Sequence, residues 1–202
     1  MRLVFMGTSQ FAVPGLKKLC ESHHDVCQVF TQPDKPSGRG HKVSISPVKA
    51  TALDRGLPIY QPQTLKLKKW SSVIEAVHPE ALVVIAYGKI LPPCLFDLPP
   101  LGSINLHASL LPRYRGAAPI PWAIVNGEIR TGISTMKIDQ SMDTGPIFLQ
   151  EEVDISLSET AIELHDRLAI LGANLLLKTL DLLKSSLINA KPQESVMVSY
   201  AP

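Results

Sequence analysis

The sequence is poor in cysteine, and its cysteines form no recognisable pair. The chain has 202 residues without a CxxC spacing, and its three cysteines are Cys20, Cys27 and Cys94. An odd number at such wide spacing indicates neither a disulfide framework nor a zinc site. We therefore expect reduced thiols, as in a cytosolic protein, and no bound metal.

The sequence also lacks any segment typical of export or of a membrane. The N-terminal stretch MRLVFMGTSQF has only a short apolar run and no cleavage site, which argues against a signal peptide. No stretch approaches the roughly 18 apolar residues of a membrane span. The net charge is only +2, so a contact with nucleic acid would have to come from a local patch. These absences predict a cytoplasmic location.

Two nucleotide-binding motifs are missing as well. The first predicted strand ends at a turn that carries Gly7 alone. A GxGxxG motif needs three glycines, for a tight turn, for close approach of the phosphates and for helix packing. No GxxxxGK[ST] stretch occurs either. The sequence therefore argues against NAD, FAD and a P-loop.

Hydrophobic residues make up 45% of the chain, which is enough for a substantial core. Their spacing predicts a βαβ unit, and hence a parallel sheet, from the strands Leu3–Met6 and Val26–Thr31 and the helix Phe11–Leu19. Prolines and glycines predict a long exposed loop over Gln32–Ser46. Further helices are expected at Pro47–Asp54 and Leu65–Val77, and further strands at Leu57–Tyr60, Ala81–Ala86, Ser103–Leu106, Thr131–Ile138, Ile147–Val153 and Ser195–Tyr200.

The last predicted helix has the clearest pattern. Ser156 and Glu159 form a candidate capping box ahead of it, and we expect it to end near Lys184. One face of this helix carries Leu164, Leu168, Leu171 and Leu175. The order of elements predicts one α/β domain, parallel in its N-terminal half and more mixed in its C-terminal half.

The stretch GSINLHASLLPRYRGAAPIPW, residues 102–122, ends a predicted strand with two polar side chains. Asn105 and His107 are two positions apart, so they project from the same face. Ligands of open α/β sheets bind beyond the carboxyl ends of the strands. An isolated N-x-H more often bonds to nearby loop backbone. Here the proline-stiffened, basic loop that follows favours a preorganised site.

A second stretch, DQSMDTGPIFLQ, places two acids in a turn before a strand. The turn could simply be solvated. Alternatively, Asp143 could orient a histidine, since a nearby anion favours the imidazolium form. Sequence spacing alone does not decide whether Asp143 meets His107.

These segments together resemble the formyltransferase family that uses 10-formyltetrahydrofolate. The resemblance is carried by INLHASLLPRYRGAAPI and MDTGPI, and it is extended along essentially the whole chain by MGTSQFAVPGL, TQPDKPSGRG, SPVKATA and AYGKILP. It is most detailed for members that formylate methionyl-initiator tRNA in translation initiation. It implies a Rossmann-like formyltransferase fold, with a mostly parallel central sheet, helices on both faces and a mixed C-terminal half.

The resemblance also implies roles for individual residues. The implied catalytic residues are Asn105, His107 and Asp143. The implied folate-binding residues are Ser109, Leu110, Leu111 and Pro112, with main-chain groups of the turn that starts at Asp139, and the Leu–Pro bond is cis in some relatives. The residues implied to meet the tRNA acceptor end are Lys35, Arg39 and Lys42.

The resemblance leaves open how complete the protein is and which amine it formylates. The family normally continues into an OB-like domain that helps to grip tRNA, and we expect residues 1–202 to be the catalytic domain without it. Glycinamide ribonucleotide is an alternative acceptor, although the turn GTSQFAVP is a poor phosphate cradle. Amino sugar nucleotides are another alternative acceptor, although an enzyme that acts on them would not account for the stretches SGRG and RGAAPI. A non-catalytic folate- or RNA-binding domain is the remaining alternative, and the complete catalytic trio argues against it. No obligate protein partner is indicated.

Overall fold

The computed structural model describes residues 1–37 and 42–202, which divide into two compact units, residues 1–103 and 104–202. The first unit contains β1 (Arg2–Gly7), α1 (Val13–Cys20), β2 (Asp25–Phe30), β3 (Lys35–Ser37), β4 (Lys42–Ser44), α2 (Pro47–Asp54), β5 (Ile59–Tyr60), α3 (Lys69–Glu75), β6 (Ala81–Ile85) and α4 (Pro93–Phe96). The second contains β7 (Ser103–His107, from one residue before the boundary), α5 (Pro119–Val125), β8 (Arg130–Lys137), β9 (Ile147–Asp154) and α6 (Ala161–Lys184).

The first unit is built on parallel strands, as the predicted βαβ unit requires. β1 pairs in parallel with β2 on one side and β6 on the other, and β2 pairs in parallel with β5. All five residues of β6 are buried. Continuous apolar strands of this kind are covered on both faces, so β6 forms the core of this unit.

Three predictions in the first unit need correction. The predicted loop Gln32–Ser46 contains the antiparallel pair β3 and β4. A proline is tolerated there because a two-stranded ribbon leaves one edge of each strand unpaired. The predicted helix Leu65–Val77 shortens to α3, because the Thr64 hydroxyl accepts a hydrogen bond from Lys66 N and forms a local turn instead. The short helix α4 was missed, since its proline lies in the first turn, where no N–H is needed.

The second unit is antiparallel: β8 pairs with β7 on one side and with β9 on the other. Gly172 of α6 lies against Leu106 of β7, where an added Cβ would be 2.7 Å from Leu106 Cδ2. Leu106 therefore faces α6. Asn105 and His107, one position to either side, project from the opposite face of the strand.

The long helix α6 ends at Lys184 as predicted, but its capping box is one turn later than expected. Thr160 Oγ1 accepts from Glu163 N at 3.3 Å, and Glu163 Oε2 accepts from Thr160 N at 2.8 Å. Two S/T-x-x-E patterns follow each other here. The earlier pattern forms only half of a capping box: Glu159 Oε2 accepts from Ser156 N at 3.2 Å, but Glu159 N donates to Ser156 O and not to the Ser156 hydroxyl. The Glu159 carboxylate also accepts from the Arg167 guanidinium of α6.

Near the C-terminus the predicted strand Ser195–Tyr200 is wrong. The residues form a 3-10 turn at Ser195–Met197 and a single bridge between Tyr200 and Arg115. The helix α5 was also missed. Its two prolines usually argue against a helix, but both lie in the first turn, where proline is tolerated. Within the described ranges, no helix is both long enough and apolar enough to cross a membrane.

Candidate active site

The polar face at the end of β7 presents an amide next to an imidazole. His107 is 7% exposed, whereas Asn105 is half-buried. Within residues 1–37 and 42–202, the Asn105 side chain makes no hydrogen bond. Asn105 can therefore offer its N–H to another molecule, while His107 is held by the protein.

The partner of His107 fixes the positions of its protons. His107 Nε2 lies 2.9 Å from the carbonyl oxygen of Tyr114. A carbonyl oxygen only accepts hydrogen bonds, so Nε2 carries a proton and donates it. Nδ1 is therefore the ring nitrogen that gains or loses a proton, and it is the one that faces Asp143.

Asp143 lies where it can influence that nitrogen. Its Oδ2 is 3.7 Å from His107 Nδ1, and its side chain is 14% exposed. The same Oδ2 accepts a hydrogen bond of 2.8 Å from Gly116 N. The distance of 3.7 Å allows a charge interaction but is too long for a direct hydrogen bond. The structure thus brings the side chains of His107 and Asp143 together, and Asn105 projects from the same face of β7 two residues before His107. Their catalytic roles stay predictions.

Asp143 is presented by a tight turn. Asp139 begins it, and its Oδ1 accepts from Ser141 N at 3.1 Å and from the Thr144 hydroxyl at 2.7 Å. Asp143 itself has a φ of +54°, in the left-handed region that a non-glycine residue seldom adopts. The Asp139 carboxylate thus bonds within the turn. The contacts predicted between the turn and the folate are made by main-chain groups of the turn, and they stay a prediction.

The loop after β7 is fixed by hydrogen bonds to β8 and β9. The Ser109 hydroxyl donates to Arg113 O at 2.6 Å, and Leu111 N donates to Ser134 Oγ at 3.1 Å. Gln150 Nε2 donates to Leu111 O at 2.9 Å. The Leu111–Pro112 peptide bond is cis. The hydrogen bonds to Ser134 and Gln150 hold the loop against β8 and β9.

Among the predicted folate-binding residues, exposure separates two groups. Ser109 and Leu111 are buried, whereas Leu110 and Pro112 keep part of their surface exposed. Leu110 packs closely on Gly132 of β8, where a Cβ would lie 2.6 Å from Leu110 Cδ2. Only the second group has side-chain surface to offer a ligand.

The predicted tRNA-binding residues lie in the first unit. Lys35 is exposed in β3. Arg39 and the side chain of Lys42 lie outside the described residues. These assignments remain predictions.

Sequence reasoning missed several residues that hold the site. Gln193 Nε2 donates to both Asp143 O and Gly145 O at 2.8 Å. The Ser199 hydroxyl accepts from Tyr114 N at 2.9 Å. Both residues come late in the chain, where PQESVMVSYAP shows neither a periodic pattern nor a motif. No sequence signal could have linked them to Asp143 or Tyr114.

Comparison with known proteins gives a consistent family. A model of the formyl transferase family matches residues 1–180. The methionyl-tRNA formyltransferase of Alkaliphilus oremlandii is 52% identical over 202 residues, covering 100% of this chain and 65% of the relative. That of Pelotomaculum thermopropionicum is 50% identical over 202 residues, covering 100% of this chain and 64% of the relative. The chain thus spans about two thirds, or slightly less, of the length of these curated relatives.

Solved structures agree on the fold. Glycinamide ribonucleotide transformylase 1 from Symbiobacterium toebii has a TM-score of 0.77 at 15% identity, covering 98% of this chain and 94% of that one. An N-formyltransferase from Helicobacter canadensis, in complex with folinic acid and dTDP-3-aminofucose, has a TM-score of 0.72 at 20% identity, covering 98% and 70%. At such identities the likeness concerns the fold alone, and the predicted mixed α/β, Rossmann-like formyltransferase fold is confirmed.

Proposed function

Since the chain belongs to the formyl transferase family, we propose that it transfers a formyl group from 10-formyltetrahydrofolate to the amino group of methionyl-initiator tRNA. The product is N-formylmethionyl-tRNA, used in translation initiation. The observation that carries the choice of acceptor is the identity of 52% along the whole chain to a curated methionyl-tRNA formyltransferase. The two solved formyltransferase structures compared above are only 15% and 20% identical to this chain.

The chemistry needs little nucleophilic help from the protein. A free α-amino group has a pKa of about 8, so a useful fraction is neutral near pH 7. The amine nitrogen attacks the formyl carbon, and the bond from that carbon to the folate nitrogen breaks. The amine loses a proton, and the departing folate nitrogen gains one. The protein has to stabilise the negative charge on the formyl oxygen and guide that proton.

Asn105 is suited to the first task. Its side chain projects from the end of β7 without an internal hydrogen bond among the described residues. A fixed N–H directed at a developing oxyanion typically contributes about a hundred- to a thousandfold in rate. Because no protein bond has to break first, Asn105 can donate to the formyl oxygen directly.

His107 and Asp143 are suited to the second task. The bond from Nε2 to Tyr114 O leaves Nδ1 as the exchanging position. A protonated Nδ1 next to the Asp143 carboxylate can also stabilise the oxyanion. A small approach of the two side chains would bring the separation of 3.7 Å within hydrogen-bond distance, so that a proton can pass between them. We therefore propose that His107 takes up and releases the proton, and that Asp143 orients the His107 ring.

The donor is assigned to the surface beside this trio. Leu110 and Pro112 supply apolar surface on a fixed loop, and the turn from Asp139 to Asp143 supplies main-chain partners. Small-molecule sites commonly combine apolar walls with a few polar groups of this kind. The donor supplies the formyl group, and its nitrogen takes up the proton on leaving.

For the acceptor, we propose that Lys35, Arg39 and Lys42 contact tRNA phosphates. Such contacts make binding depend on salt concentration. We further propose that residues 1–202 supply the catalytic part and that an OB-like domain adds affinity for tRNA. The cytoplasmic location stays a prediction.

The test is formyl transfer by the purified chain to three acceptors in parallel. Methionyl-initiator tRNA, glycinamide ribonucleotide and a dTDP-amino sugar are each incubated with 10-formyltetrahydrofolate, and the formylated product is measured. We expect the tRNA to react much the fastest, with a rate that falls as salt is raised. Faster formylation of either small acceptor would replace the proposed substrate. No transfer to any of the three would refute the enzyme assignment.

A further inference from the structure

The segment from Lys191 to Ala201 is attached along the turn and loop that carry the site. Lys191 and Ile147 exchange two backbone hydrogen bonds, of 2.7 and 2.8 Å. Further along, Arg115 N donates to Ser199 O at 2.9 Å, and Ala201 N donates to Arg115 O at 2.7 Å. This segment lies beyond the residues matched by the family model.

Gln193 is the side chain of this segment that joins the turn to the loop. Its Nε2 donates to Asp143 O and to Gly145 O, both at 2.8 Å. Its Oε1 accepts from Arg115 Nε at 3.1 Å and from Arg115 Nη2 at 2.7 Å. A guanidinium only donates and a carbonyl only accepts, so the chemistry fixes which end of the amide points where. Among the natural side chains of this length, only glutamine offers two donors and an acceptor at once.

Asp143 needs such support because its backbone is in a disfavoured conformation. A φ of +54° is uncommon for a residue with a side chain, and it persists where the surroundings hold it. The bond from Gln193 to Asp143 O holds the residue itself, and the bond to Gly145 O holds the turn two residues later. The direction in which the Asp143 carboxylate projects thus depends on Gln193.

The other end of Asp143 is held by the same segment, through the loop. Gly116 N donates to Asp143 Oδ2 at 2.8 Å. Gly116 follows Arg115, whose backbone is bonded to Ser199 and Ala201. A Cβ at Gly116 would lie 2.5 Å from Ala201 O, so the loop and the segment are in close contact here. The Arg115 side chain, bonded to Gln193, closes the link between turn and loop.

We propose that Gln193 is a positioning residue, which sets the distance between the Asp143 carboxylate and His107 Nδ1 by tying the turn to Arg115. The proposal rests on the proposed function, because it assigns Gln193 a part in that reaction. Gln193 does not touch the reacting atoms and acts only through Asp143.

The principal test is Gln193→Glu in the full chain. Glutamate keeps the volume and the acceptor for Arg115, but its carboxylate repels the carbonyl oxygens of Asp143 and Gly145. We expect kcat to fall about 10- to 100-fold, as for a small misplacement of a catalytic group, with the KM of both substrates within about twofold. The variant Gln193→Met removes all four hydrogen bonds, and its kcat should fall at least as far. A kcat for Gln193→Glu within about twofold of the wild type would overturn the proposal.

A double-mutant cycle separates positioning from general stability. In the background Asp143→Asn, Gln193→Glu should lower kcat by no more than about twofold, since the carboxylate that it positions is already gone. A purely structural role would give the same fold-loss in both backgrounds. Full multiplication of the two losses would therefore contradict the proposal.

A substrate-free measurement keeps this proposal apart from the proposed function. The ¹⁵N chemical shift of His107 Nδ1 is recorded for the wild type, Asp143→Asn and Gln193→Glu. Gln193→Glu should move it in the same direction as Asp143→Asn. If that occurs while no acceptor is formylated, the proposed reaction fails and the positioning role stands. If the shift stays at its wild-type value while formyl transfer proceeds, the positioning role fails and the reaction stands.

Discussion

At the strand ends of the first unit, polar side chains form hydrogen bonds with one another and with the backbone. At the end of β7, by contrast, the Asn105 amide has no hydrogen bond among the described residues, and His107 and Asp143 are too far apart for a direct one. In the first unit, Thr8 Oγ1 donates to Tyr87 O at 2.9 Å. Gln32 Nε2 donates to the carbonyl oxygens of Tyr87 and Gly88, both at 3.0 Å. The Thr8 hydroxyl and the Gln32 amide nitrogen thereby satisfy main-chain carbonyl groups of the protein itself.

The same is true of the charged groups nearby. Asp34 accepts from Lys49 Nζ at 2.5 Å and from Gln61 Nε2 at 2.7 Å. Both oxygens of the carboxylate are thereby engaged. In the second unit, by contrast, Asn105 makes no side-chain hydrogen bond among the described residues, and 3.7 Å separates His107 from Asp143. Residue type alone does not distinguish the two regions; the difference is whether the protein satisfies the polar groups itself.

The largest expected effect is that of Asn105→Ala. Loss of the unbonded N–H should lower kcat about a hundred- to a thousandfold, with the KM of the folate donor within about threefold. Asn174→Ala on exposed helix surface is the matched control and should leave kcat unchanged. Steady-state kinetics with both variants decide the point. Equal kcat for Asn105→Ala and wild type would show that an unsatisfied amide does not mark the active site here.

A smaller effect is expected from Gly145→Ala. A methyl group there would collide with Lys137 O and displace the turn that carries Asp143. We expect a stability loss of about 1–3 kcal/mol by urea unfolding, as for other forced overpacking, together with a loss of kcat of about tenfold. Gly127→Ala is the control: its φ is +64° but its surroundings are open. It should lose about 1 kcal/mol and keep its kcat. Similar kcat values for the two variants would show that the position of this turn does not affect catalysis.

The next prediction concerns charge in the first unit. The hydrogen bond from Lys49, with that from Gln61, lowers the pKa of Asp34 from its usual value. A depressed pKa in the folded state stabilises the fold above the unfolded value of about 3.9, and this stabilisation is lost as pH falls through the folded value. Asp34→Asn should therefore melt slightly below the wild type at pH 7, and the two should converge under acid conditions. A difference that persists at pH 2 would mean that the charge of Asp34 is not its cause.

The smallest effect is expected at Tyr87, a polar group of the first unit that the protein does not satisfy. The Tyr87 hydroxyl is buried and has no hydrogen-bond partner among the described residues, and burial raises its pKa to about 12. Tyr87→Phe removes a polar group that gains nothing from burial, so stability should change by less than about 1 kcal/mol or rise slightly. A thermal melt checks this. A large loss would reveal a partner for the hydroxyl and weaken the comparison between the units.

The elements that follow from hydrophobic periodicity could be predicted from the sequence. α2 was predicted with its observed bounds, Pro47–Asp54, because a proline start and a glycine after the end delimit it. The end of α6 at Lys184 was also predicted. The start of α6 could not be, because two similar capping patterns adjoin, and only in the structure does the hydroxyl of Thr160 accept from the N–H of Glu163, which completes the second box.

The candidate site was predictable in its residue types but not in its supports. Asn105 and His107 share a face because a strand alternates, which the sequence contains. The approach of Asp143 came from the family resemblance, since 36 positions of chain separate it from His107. Gln193 and the carbonyl of Tyr114 could not be found at all. Their roles depend on tertiary contacts between segments without any local pattern.

The attachment of residues 191–201 to the loop of the candidate site bears on where a shorter version of this protein should end. A fragment trimmed at residue 180, where the family match ends, would retain Asn105, His107 and Asp143. It would also lose Ala201, which exposes the surface at Gly116 that Ala201 packs against, and it would leave the Arg115 guanidinium without its acceptor on Gln193. The proposed role of Gln193 therefore predicts that the smallest active fragment extends about twenty residues beyond the end of the family match.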